Sequence, residues 1–139
     1  MHNSGKSRWA VLLALALLLV AACAAPARFQ RPADFPFHVT DHPFFDVHWG
    51  LERSDGKIHA VGLVEAARVD GVRSAIVELR ELDPSGRVVN RALGHTYGGR
   101  LNRGDTRPFY VALRPKTQSD RFEVEVWSFN WDAGFGEGK

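Results

Sequence analysis

The stretch that decides the fold runs from Val47 to Val64: Val47-His48-Trp49-Gly50-Leu51-Glu52-Arg53, then Ser54-Asp55-Gly56-Lys57, then Ile58-His59-Ala60-Val61-Gly62-Leu63-Val64. In the first run Val47, Trp49 and Leu51 alternate with His48 and Glu52, the repeat of a strand with one buried face. Asp55-Gly56 supplies residues that accept the positive φ of a tight hairpin turn. The second run places Ile58, Ala60, Gly62 and Val64 on one face and His59, Val61 and Leu63 on the other. Apolar character on both faces predicts a strand flanked by neighbours on both sides.

Working outward, the same grammar repeats. Asp70-Gly71 marks a turn before Val72 to Asp83, where Ala75, Val77 and Leu79 point inward opposite Glu78 and Arg80. Asp83-Pro84-Ser85-Gly86 is a strong turn signal, because Pro presets φ and Gly accepts positive φ. Further strands are predicted over Arg87 to Leu93, Thr106 to Leu113 with Phe109, Val111 and Leu113 facing in, and Arg121 to Trp131. The glycine-rich stretch from Gly94 to Asp105 is predicted to be mostly loop. Six short strands with turn signals between them, and no helical periodicity after residue 22, predict an all-β chain folded as a single Ig-like antiparallel β-sandwich.

The N-terminus follows a different pattern. Lys6 and Arg8 precede the apolar run Trp9 to Val20, and Ala21-Ala22 lead to Cys23, the single cysteine of the chain. Basic, apolar and small residues in that order make a signal peptide. The run from Trp9 to Ala22 is 14 residues, short of the roughly 20 needed to span a bilayer. Val20-Ala21-Ala22-Cys23 resembles the lipobox of bacterial lipoproteins, and the resemblance implies a helical signal peptide over 1–22, its cleavage, and lipidation of Cys23. Ala24, where an Asp would favour the inner membrane, implies an outer-membrane anchor facing the periplasm.

The expected organisation is therefore 1–22 signal peptide, 23–43 lipidated N-terminus and Pro-broken linker, 44–132 sandwich and 133–139 a frayed glycine-rich tail. Phe29, Phe35 and Phe37 suggest that the second half of the linker lies against the domain. Cleavage removes two of the 18 basic residues, leaving 16 against 16 acidic ones over 117 residues. Net zero charge without a basic run excludes the electrostatic footprint of a nucleic-acid binder. Without a second cysteine, stability must come from packing and strand pairing.

A second resemblance covers residues 58–127. Ala60-x-Gly62-x-Val64, Val77-x-Leu79 leading to Asp83-x-x-Gly86-Arg87-Val88-Val89, and Leu101-x-x-Gly104-Asp105 leading to Phe109-x-Val111 are similar to the FxLYD-type domains of prokaryotic envelope proteins. The pattern departs at Ala66, where that family has asparagine, and at Glu81-Leu82, where it has tyrosine. The resemblance implies an Ig-like module with a binding or structural role and lends no catalytic residues.

Candidate chemistry is sparse. His38, His42 and His48 lie near Asp41 and Asp46, but the first two sit in a Pro-broken segment where spacing sets no common face, so no metal site is expected and the histidines are read as solvated. No nucleophile elbow or phosphate loop is present, so neither a catalytic residue nor a cofactor is expected. The carboxylate pairs Glu78 with Glu81 and Glu123 with Glu125 are read as solvent-facing strand residues.

The last strand is the most informative, with Phe122, Val124 and Val126 on one face and Trp127, Phe129 and Trp131 on the other. The sequence leaves two readings of those rings: a small second core closed by Phe44, Phe45 and the Phe-rich linker, or an exposed patch for an envelope protein partner. A glycan- or ligand-binding face built on Trp127, Phe129 and Trp131 is the alternative function.

Overall fold

The computed structural model describes residues 31–132. The expected signal peptide, Cys23, the start of the expected linker and the stretch 133–139 expected as a tail lie outside the described residues.

After a single 3-10 turn at Pro32–Asp34, the chain forms β1 (Phe37–Val39), β2 (Asp46–Ser54), β3 (Lys57–Glu65), β4 (Val72–Leu82), β5 (Val88–His95), β6 (Thr106–Leu113) and β7 (Arg121–Trp131). They pack as a β-sandwich of two antiparallel sheets, in the order β1-β2-β3-β6 and β5-β4-β7. The order is a Greek key: β3 leaves the first sheet for β4 in the second, β6 returns beside β3, and β7 crosses again to lie beside β4.

The sequence patterns translate directly into this frame. β2 and β3 meet through Ser54↔Lys57, and Asp55 and Gly56 take φ of 51° and 67°, as a two-residue hairpin requires. β3 is internal, between β2 and β6, as its two apolar faces predicted. The β4–β5 turn is closed by Gly86 N–H donating to Asp83 O and Asp83 N–H donating to Arg87 O, both at 2.9 Å. Asp83 adds side-chain acceptors to the turn: its carboxylate receives the Ser85 hydroxyl, the N–H groups of Ser85 and Arg87, and the Arg87 guanidinium. The Ser85 and Arg87 bonds outweigh a small desolvation penalty and hold this carboxyl at about 2, against 3.8 for a free one.

The core fills the space between the sheets. Phe45, Val47, Trp49, Ile58, Ala60 and Val64 from the first meet Ala75, Val77, Leu79, Phe122, Val124 and Val126 from the second. The three inward residues predicted for β6, Phe109, Val111 and Leu113, are all buried. Gly62 is required by this packing. It pairs with Trp49 and Phe109, and a Cβ there would fall 2.7 Å from the Phe109 ring and 2.2 Å from His48 O.

Two features differ from the sequence expectation. Phe37–Val39, placed in the linker above, is strand β1, in register with Trp49 to Val47. A strand of three residues after Pro36 is too short to show a period, and the pairing is made by β2. His95 also continues β5 beyond Leu93, because it pairs with Ile76.

The two flanks of the sandwich differ. At one, β5 and β6 are stitched together by the Thr96↔Phe109 bridge and by Tyr97 N–H donating to Pro108 O at 2.8 Å. At the other, β1 and β7 stand apart.

Candidate functional site

β7 forms one wall of the open flank, and its register explains what it presents. Val77 pairs with Val126 and Ile76 with Ser128, so Trp127 is the extra residue of a β-bulge. A bulge resets the alternation of a strand. Before it, Phe122, Val124 and Val126 point into the core; after it, Phe129 does. Trp127, Phe129 and Trp131 therefore do not share the single face that strict alternation predicted.

Phe129 packs edge-on against Phe44 at 5.6 Å, Phe45 at 5.1 Å and Trp131 at 5.2 Å. Phe44 also reaches Trp131 at 6.3 Å. Phe44 and Phe129 thus extend the main core beside Phe45 and do not form a second one, and the cluster does not swallow the tryptophans: Trp127 is 55% and Trp131 54% exposed. Trp127 has no ring neighbour among the described residues, so it and Trp131 do not form a stacked or coplanar pair.

The N-terminal half of β7 lines a groove of about 510 Å³ between the sheets. Val39 of β1, Val47 and Trp49 of β2, and Phe122, Val124 and Val126 of β7 make its apolar lining, while Asp41, His42, Arg80, Glu123 and Glu125 bring polar groups to it. Arg80 lies between the carboxylates of Glu123 at 3.2 Å and Glu125 at 2.8 Å, which share the outer face of β7 as predicted. Two buried donors from this lining, Trp49 Nε1 and Arg80 Nε, have no hydrogen-bond partner among the described residues.

His42 is held in the groove wall as an acceptor. Its Nδ1 receives the backbone N–H groups of Phe44 at 3.1 Å and Phe45 at 3.2 Å, which fixes the chain where it enters the sandwich. Burial and the nearby Arg68 guanidinium lower its pKa from 6.5, against the opposing pull of Asp41 and Glu125. Arg68 clamps the same entry, donating to Pro43 O, His42 O, Phe45 O and the Asp46 carboxylate.

The histidines are more engaged than their reading as solvated residues implied. His48 is 8% exposed; its Nε2 donates to the Glu65 carboxylate at 3.0 Å, and its Nδ1 meets His38 Nδ1 at 2.8 Å across the β1–β2 pair. His59 contacts the Ser54 hydroxyl at 2.9 Å and the Tyr110 hydroxyl. Asp46, two residues from His48 on β2, is engaged by Arg68 at 2.6 Å. Among the described residues no three groups able to ligate a metal come together.

The carboxylates of β4 correct the sequence reading. Glu78 and Glu81 are 3% and 0% exposed, and neither is solvated. Glu81 shares the parity of Ala75, Val77 and Leu79, so the alternation that placed those residues inside also placed Glu81 there. That signal was available in the sequence and was overridden by residue type. The side chain ties down the β6–β7 connection, accepting the Thr117 N–H and hydroxyl on Oε1 and the Lys116 N–H and Asn90 amide on Oε2. Burial pushes its pKa up, but the bonds from Thr117, Lys116 and Asn90 outweigh it, and the net shift is downward from 4.5. Its role is structural, since its oxygens are consumed by the fold.

Comparison with protein-family models, curated proteins and solved structures gives no match.

Proposed function

We propose that this chain is a non-enzymatic lipoprotein of the bacterial envelope, anchored through Cys23, whose β-sandwich binds a protein partner at the tryptophan end of β7. The observation that carries the reading is the pair Trp127 and Trp131, each more than half exposed on an 11-residue edge strand whose neighbouring aromatic side chains are packed. A large ring left in water costs roughly 1.5–3 kcal/mol of burial that packing would otherwise recover. Tryptophan is also the residue type most concentrated at binding hot spots. The bulge supports the assignment, because it turns Trp127 out of the alternation that would otherwise share its face with Phe129.

The lipobox resemblance and the net-zero charge after cleavage support the anchor. A neutral domain has no polybasic patch to hold it at an anionic surface, whereas several acyl chains at about 0.8 kcal/mol per methylene suffice. A stacking platform for sugars needs adjacent, aligned rings, and Trp127 has no ring neighbour, so the protein-partner reading is preferred.

The test is site-specific photo-crosslinking in intact cells from positions 127 and 131, with position 59 on the outer face of the other sheet as control. A discrete adduct from both β7 positions, absent at 59 and absent when the non-probed tryptophan is replaced by alanine, is the expected result. Equal adducts from all three positions would refute the assignment.

A further inference from the structure

Among the described residues the sandwich has a vacant strand position beside β7, and its edges are treated differently. β5 and β6 are joined to each other across the closed flank. β1 is three residues long and bounded by Pro36 and Pro43. Short edges and flanking prolines are the devices that keep an edge from pairing with another chain. β7 is 11 residues long, contains neither proline nor lysine, and makes no backbone hydrogen bond on the side away from β4 before Asp132. Its bulge at Trp127 breaks the second half, so the flat, pairable segment is Arg121 to Val126. The same segment lines the groove.

We propose that the outer edge of β7, from Arg121 to Val126, accepts an extended segment of a protein partner as an added strand, with apolar side chains of that segment alternating with basic ones. The proposal rests on the protein-binding reading above and names the form the bound segment takes. A strand laid beside β7 must match its two faces, because cross-strand neighbours share a face. On the inner side it follows Phe122, Val124 and Val126 and drops its side chains into the apolar groove against Val39 and Trp49. On the outer side it lies beside Glu123 and Glu125. Arg80 lies between them and Arg121 opens the same face with its guanidinium turned to Pro84 O; with Asp41 at the groove the acids exceed these cations by one, and the surplus is concentrated at Glu123 and Glu125, so the side chains that lie beside those two are basic.

A second copy of this chain is the poorer occupant. Antiparallel pairing of β7 with itself centred on residue 124 or 125 sets Glu123 against Glu125 or Glu125 against Glu125; centring on 123 offsets one Glu123–Glu123 pair with two Arg121–Glu125 pairs but joins only residues 121–125. Like charges directly opposite destabilise a pair.

The experiment uses the full chain and a peptide of about seven residues alternating lysine and valine, long enough to cover Arg121 to Val126. Its counterpart alternates glutamate and valine. Backbone hydrogen exchange is followed residue by residue. The lysine peptide is expected to bind at least about tenfold more tightly than the glutamate peptide and to slow exchange of outward amides between residues 121 and 126. In Glu123→Lys/Glu125→Lys the preference reverses, and in Glu123→Gln/Glu125→Gln it falls to an intermediate value. The neutral pair keeps the inference testable if charge reversal disturbs the fold.

No slowing in β7 with the lysine peptide overturns the proposal, as does equal binding of both peptides. Slow exchange of those outward amides in the free chain means one of its own segments fills the position, and concentration-dependent protection without peptide means a second copy does; either also overturns it. Trp127→Ala/Trp131→Ala should leave peptide affinity within about twofold. Loss of cellular crosslinks in that variant with no peptide binding to the parent would sink the strand site and leave the tryptophan surface standing.

Discussion

Replacing Glu81 by glutamine tests whether a buried carboxylate without a cation beside it can hold the sandwich together. Glu81 is fully buried and accepts bonds of 2.8 and 2.6 Å from Thr117, 2.9 Å from Lys116 and 3.2 Å from Asn90. An amide replaces one acceptor oxygen by an NH2 group. The Thr117 hydroxyl can turn to accept from it, but the Thr117 N–H cannot, so one charge-assisted bond, about 1.5 kcal/mol, is lost. The remaining three fall from charge-assisted to neutral at about 0.5 kcal/mol each, giving a total near 3 kcal/mol. For a domain of this size that lowers Tm by about 15 °C.

The pH dependence provides an independent check. The folded pKa is depressed below 4.5, so between 4.5 and the folded value the unfolded chain binds more protons and stability rises with pH. The contribution is complete above 4.5 and is lost as pH falls through the folded value. Once protonated, Glu81 resembles the glutamine it is compared with. Urea denaturation followed by the fluorescence of Trp49 should therefore show a deficit for Glu81→Gln at neutral pH that shrinks in acid. Asp83, with its carboxyl near 2, titrates equally in both proteins and cancels from the difference. A deficit below about 1 kcal/mol at neutral pH, or one that is the same in acid, would refute this account of the bond network.

Other sites give sharper yes-or-no outcomes. Gly62→Ala drives a Cβ to 2.2 Å from His48 O and 2.7 Å from the Phe109 ring; the expected loss is about 2–3 kcal/mol by denaturation, and an unchanged midpoint would show that β3 can shift away from Phe109. His42 holds a pKa below 6.5, so protonation favours the unfolded chain, and its contribution, complete above 6.5, is lost as pH falls through the lower folded value. His42→Asn retains an acceptor for the Phe44 N–H and should flatten that slope; an equally steep slope would place the titration elsewhere. Cys23→Ala should abolish partitioning with membranes in fractionated cells, and a variant that stays membrane-bound would mean that the apolar run from Trp9 to Ala22 is itself the anchor.

The strands of this protein are legible because their causes are local. Thr106 to Leu113 and Arg121 to Trp131 coincide with the predicted segments, and Asp55-Gly56 and Asp83 to Gly86 form turns, since alternation and positive φ depend on residues two to four apart. The central position of β3 followed from its two apolar faces. Glu81 was legible in principle: parity put it inside, and only its charge argued otherwise.

Other features depend on pairing partners distant in the chain. β1 exists because β2 offers an edge to Phe37–Val39. The bulge at Trp127 exists because Val126 and Ser128 take consecutive partners on β4, about 50 residues earlier, and it turns Phe129 away from the face Trp127 occupies. His48 is buried between His38 and Glu65, each from a different strand. Apart from β1, the end of β5 and the face switch after Trp127, the sequence by itself determined which segments are strands, where they turn and which faces are apolar. Tertiary structure alone decided that β5 and β6 close one flank while β7 lies open beside a groove, because joining or parting two edges is a property of sheets brought together across the whole chain.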